Sequence, residues 1–159
     1  MSGDDQVEAG ADPVAELHRS QGIECNNGFW EMVAAERTPA NDEELLRRAY
    51  ASAYHWSRAA RREPANEVRA LYSIAKAQLL TGHPERSLEY ADACFAGCEE
   101  HGLTDFDLAY AHEARGRALL ALGRRDEGLE AWAAAKAVPV ADAEDREIVE
   151  ADFADAPGA

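Results

Sequence analysis

The sequence predicts an all-α fold of paired helices, and three observations carry that prediction. Apolar residues make up 47% of the 159, alanine is heavily used and there are only six prolines, a mix that favours helix. Apolar side chains recur at helical spacing through most of the chain. The stretch LYSIAKAQLLTGHPERSLEYADACF, starting at Leu71, is loosely echoed by HEARGRALLALGRRDEGLEAWAAAK from His112, so one helical unit is written twice.

Residues 1–12 read as a disordered leader, 13–154 as a single helical domain and 155–159 as a frayed tail. A first helix is expected from Pro13 to about Glu36, carrying Val14, Leu17, Trp30 and Val33. Its QGIECNNGF segment is poor in helix formers and admits a break near Gly22 or Gly28. Asn41 with Glu44 offers a capping pattern for a second helix to about Arg62, with Leu45, Ala49, Ala53, Trp56 and Ala60 on one stripe. A third covers Asn66 to Thr81 and ends at Gly82. A fourth starts at Pro84, a favoured first-turn residue, and stops at Gly102. Thr104, with Asp107 three residues on, caps a fifth that ends at Gly123. A sixth spans Arg125 to Ala137, and Asp142 caps a last helix bearing Ile148, Val149 and Phe153. Trp56 and Leu88 are expected in the core, at the burial positions of their hairpins.

Gly82 and Gly123 recur at a spacing of 41 residues, and aligning them superposes Ala75 on Gly116, Ser87 on Gly128, Leu88 on Leu129 and Cys94 on Ala135. Small residues recur where two helices approach closely. This pattern of small residue, turn glycine and small residue resembles the tetratricopeptide repeat, over Asn66 to Ala137 and more loosely over Leu45 to Arg62. The period exceeds the usual ~34 residues, and Gln78 and Arg115 depart from the pattern. The resemblance implies a right-handed stack of about three helical hairpins plus a C-terminal capping helix, because a single hairpin cannot bury its apolar face alone. The chain as a whole also resembles a set of small bacterial proteins of no assigned activity. They share a Trp-Glu, a His-Trp and an Asp-Phe-Asp, which here are Trp30-Glu31, His55-Trp56 and Asp105-Phe106-Asp107.

In tetratricopeptide arrays the first helix of each pair lines a concave face. Carried over by the glycine alignment, that face is Arg69, Tyr72, Lys76 and Leu79 in one pair, and Tyr110, Glu113, Arg117 and Leu120 in the next. Lys76 is one of two lysines in a chain with 31 acidic and 16 basic residues and a formal charge of −15. Three cations and two tyrosines there imply a locally positive groove for an acidic peptide or protein segment, held by charged hydrogen bonds between aromatic walls. The same residues also read as solvated helix faces paired with neighbouring acids.

A rival reading is a small-molecule or metal-binding protein, or an enzyme. It would use the His55/Trp56 edge and a polar cluster of Asp107, His112 and Arg115, together with Asn27 and Trp30. Arg48 and Arg62 share the edge of His55 and would disfavour its imidazolium. Arg115 on an apolar stripe needs a carboxylate from Asp105, Asp107 or Glu31. Cys94, Cys98 and His101 share one helix face, but a single helix supplies three ligands poorly and no second ligand cluster is present, so the chain is expected to carry no stoichiometric transition metal. No cofactor motif, phosphate loop or nucleophile motif is present in the sequence. The acidic balance argues against nucleic acid, and no run reaches the ~18 apolar residues of a membrane span. Three cysteines, an odd number, suit a reducing, cytoplasmic setting.

Overall fold

The structure, a computed structural model, describes residues 10–154, so most of the expected leader and the whole expected tail lie outside the described residues. Seven helices follow one another: α1 (Pro13–Ala34), α2 (Pro39–Trp56), α3 (Pro64–Leu80), α4 (Pro84–His101), α5 (Phe106–Ala121), α6 (Arg125–Ala137) and α7 (Ala143–Asp152). The described residues form no strand, and none of their helices is long and apolar enough to cross a membrane.

Proline opens each of the first four helices, where its missing N–H costs nothing and its φ is already helical. Gly82 and Gly123 adopt φ of +83° and +75°, which side chains other than glycine rarely tolerate. The two turns match bond for bond. His83 N donates to Gln78 O and Arg124 N to Leu119 O, each at 2.9 Å, so the aligned glycines close their helices in the same way.

Each of the first five helices packs against the next, α3 also touches α1 and α5, and α7 folds back onto α5. The odd helices α1, α3 and α5 therefore share a layer, flanked by α2, α4 and α6. The core divides into three successive clusters. Phe29, Leu45, Ala49, Ile74 and Ala77 join α1, α2 and α3. Val68, Tyr72, Ala75, Ala91, Cys94 and Ala111 join α3, α4 and α5. Trp132, Val140, Val149 and Phe153 close the far end against α5.

Several sequence expectations are corrected. α1 does not break. Its two inner glycines are notches: a Cβ at Gly22 would sit 3.2 Å from the Trp56 indole, and one at Gly28 would sit 1.9 Å from the Arg48 guanidinium. α2 is capped by Thr38, whose Oγ1 accepts from Asn41 N at 3.1 Å, and it stops at Trp56. The chain then turns, with Arg61 in the left-handed region at φ +50°. Asp105, not Thr104, caps α5. Trp56 and Leu88 are half-buried rather than core. Trp56 lies against Gly22 with the Arg19 guanidinium 5.5 Å from its ring, so one face stays at the surface. In α4 it is Ser87, Ala91, Cys94 and Cys98 that turn inward, because only small side chains fit so close to α3.

Candidate functional site: the groove of α1, α3 and α5

Tyr72 on α3 is buried and donates its phenol to Glu113 Oε2 on α5 at 3.2 Å. These two residues superpose when Gly82 and Gly123 are aligned, so the hydrogen bond spans the same 41 residues. Glu113 is only 2% exposed, and its second oxygen accepts from Arg117 Nε one turn on. Arg117 also donates to Asp152 O at 3.3 Å and lies 4.8 Å from the centre of the Trp132 ring. A carboxylate this deep persists only because charged and phenolic donors replace its lost water. Burial, followed by the charge of Glu113, drives the Tyr72 phenol well above its ordinary range, so it remains a neutral donor.

Lys76 differs from the other groove cations. Its ammonium stands 5.9 Å from the Trp30 ring centre and 6.0 Å from that of Tyr72, and it makes no ion pair among the described residues. Trp30, on α1, is 42% exposed and stacks on Tyr72 at 6.4 Å and 27°. Rings continue along the layer from Tyr72 to Tyr110 at 5.4 Å and from Tyr110 to Phe153 at 5.2 Å. Beside Lys76 opens a pocket of about 230 Å³, walled by Tyr72, Glu113 and Arg117 and floored by Ala75, Leu79, Leu80 and Ala114. The site thus combines one unpaired ammonium, one exposed indole and an apolar floor.

Five of the eight residues expected in the groove, Tyr72, Lys76, Leu79, Glu113 and Arg117, line this pocket. Arg69 instead grips Asp107 with two hydrogen bonds of 2.7 and 3.1 Å, tying α3 to the start of α5. Tyr110 donates to Asp152 at the α7 end, where burial and that carboxylate raise its phenol. Leu120 faces α6, against Gly128. Of the three cations behind the locally positive groove expected from sequence, Arg69 and Arg117 are each paired with a carboxylate, whereas Lys76 is not. Trp30 joins this groove rather than a separate pocket. The repeat alignment does not reach α1, so only the placement of that helix beside α3 reveals it.

The rival cluster is not assembled. Asp107 is with Arg69, whereas Arg115 donates to Asp92 at 2.7 Å on the opposite side, facing α4. His112 packs its ring 4.9 Å from Phe95, and burial, then Arg115, lowers its basicity. Its Nδ1 is buried without a hydrogen-bond partner, beside a shallow depression of about 310 Å³ that Asp92, Arg115, Arg124 and Glu127 border. Asn27 is exposed on α1. Arg48 does not reach His55; it pairs with Glu44 at 2.7 Å, while His55 meets His18. His101 is exposed while Cys94 and Cys98 are buried. The Asp105-Phe106-Asp107 run has a structural role. Asp105, at φ +71°, accepts from Ala141 N at 3.1 Å and so anchors the loop that leads to α7.

No family model, curated protein or solved structure matches this chain.

Proposed function

We propose that this chain is a tetratricopeptide-like right-handed stack of three helical hairpins with a capping helix, acting as a non-catalytic binding module. Its ligand is an acidic peptide or protein segment laid across α1, α3 and α5. The observation that carries this reading is Lys76: an ammonium without a carboxylate, set between an exposed indole and an apolar pocket. A carboxylate docking there gains a charged hydrogen bond, and a neighbouring apolar side chain gains the floor of Ala75, Leu79 and Leu80. Trp30, backed by the buried Tyr72, offers flat contact area at low entropy cost. The unpaired thiols of Cys25, Cys94 and Cys98 fit a reducing, cytoplasmic setting.

The test is affinity capture from the native cytoplasm with three baits: wild type, Lys76→Glu and Trp30→Ala. Lys76 and Trp30 are the informative positions, because reversing Arg117 would also strand the buried Glu113. A partner retained by wild type and lost by both variants supports the reading, and that capture should weaken as salt rises above ~0.15 M. A partner held equally by all three baits would place the binding surface elsewhere.

A further inference from the structure

The end of α7 meets the groove of α3 and α5. Arg117, which borders the pocket of about 230 Å³, donates Nη2 to Asp152 O at 3.3 Å, and Tyr110 donates to the Asp152 carboxylate. The Phe153 ring then packs 5.2 Å from that of Tyr110, and Ala154 is the last described residue. The chain continues as Asp155, Ala156, Pro157, Gly158 and Ala159. Five extended residues reach ~16–18 Å, about two interaxial steps of ~8–10 Å, which is enough to cross from α5 over α3 to α1.

This segment carries the groups that the groove leaves unmatched. The Lys76 ammonium lacks a carboxylate and stands 5.9 Å from the centre of the exposed Trp30 ring. Asp155 and Pro157 are two residues apart, ~7 Å in extended chain, so an acid and a proline ring recur at close to that spacing. Proline holds its backbone extended at low entropy cost, and aromatic-lined grooves recognise it on that account. Lys136 borders a depression beside Ala154, but Glu150 shares its wall and repels a second acid. In the groove, Glu113 is already bonded to Tyr72 and Arg117, so it leaves Lys76 to a new partner. We propose that residues 155–159 of this chain fold back over Arg117 into the groove, with the Asp155 carboxylate on Lys76 and the Pro157 ring against Trp30. The inference rests on the groove reading above and deepens it: the chain supplies a stand-in for its acidic ligand, which a partner has to displace. Tethering gives the segment an effective concentration on the order of 1 mM, so a weak contact is enough to keep the groove occupied until a tighter ligand arrives.

The experiment is nitrogen-15 NMR of the full chain, whose three tryptophans give three indole N–H signals, assigned by substitution to phenylalanine. Deleting residues 155–159 should shift the Trp30 signal and leave that of Trp56, on the α2 edge, where it was. Asp155→Lys in the full chain should reproduce the Trp30 shift. The peptide ADAPGA, added at millimolar concentration to the shortened chain, should return the signal toward its full-length position. A Trp30 signal untouched by the deletion, or an Asp155→Lys chain that matches wild type, would overturn the proposal. So would a Trp30 position that changes on dilution, since the segment would then come from a second copy. Capture with the Lys76→Glu bait is read separately. If that variant loses its partner while the Trp30 signal ignores the deletion, the tail is struck and the groove reading stands. If the Trp30 signal responds while capture is equal in both baits, the tail stands and the external ligand is struck.

Discussion

At Glu113 a single carboxylate links three helices. It takes the phenol of Tyr72 on α3 and the guanidinium of Arg117 on its own helix, and Arg117 in turn reaches Asp152 on α7. Hydrogen bonds to a charged group typically contribute ~1.5–3 kcal/mol, and removing the acceptor leaves the buried Tyr72 phenol unsatisfied. Glu113→Ala is therefore expected to lower unfolding stability by about 1.5–3 kcal/mol in urea denaturation, with a smaller loss for Glu113→Gln, which keeps an acceptor for Tyr72. A change below ~0.5 kcal/mol would mean that the pair behaves like an exposed one. The sequence marked Tyr72, Glu113 and Arg117 as neighbours on one face, because aligning Gly82 with Gly123 puts Tyr72 opposite Glu113. Which acid answers which base was not legible. Arg69 choosing Asp107, and Arg115 choosing Asp92, depends on how the helices cross, and residue spacing along one helix does not encode that.

Among the elements, the hairpins depend on close approach. In α3 and α4 the contact is Ser87 Oγ donating to Ala75 O at 2.8 Å. At the aligned place in α5 and α6, a Cβ on Gly116 would sit 3.2 Å from both Gly128 O and Trp132 N, which are backbone atoms that cannot swing aside. Alanine normally improves a helix interior over glycine by ~1 kcal/mol. Overpacking against backbone costs typically ~1–3 kcal/mol, so the sign should reverse. Gly116→Ala is thus expected to lower the melting temperature despite its better propensity, and a raised melting temperature would show that α5 and α6 are farther apart. Helix starts and stops were largely readable, since Pro84, Gly82, Gly102 and Gly123 act through local backbone geometry. The misreading at α1 has its cause on α2. Gly22 and Gly28 looked like breaks because their partners, Trp56 and Arg48, lie on another helix and become neighbours only after folding.

Across the whole molecule, of formal charge −15, Lys76 is one of several cations, with Arg62 and Lys136, that make no ion pair among the described residues. Most exposed basic groups here are answered by acids, including Arg47 by Glu44, Arg61 by Glu16 and Arg124 by Glu127. What sets Lys76 apart is its surroundings, two rings beside an open pocket, and the proposed acidic segment would meet its charge there despite a global charge that repels polyanions at long range. The most direct measurement is the calorimetric affinity of the captured segment for wild type and for Lys76→Glu at the same salt concentration, with melting curves of both. The groove account predicts binding at least about tenfold weaker in the variant, or ~1.4 kcal/mol, with the melting temperature unchanged. Equal affinity in two equally stable proteins would contradict it.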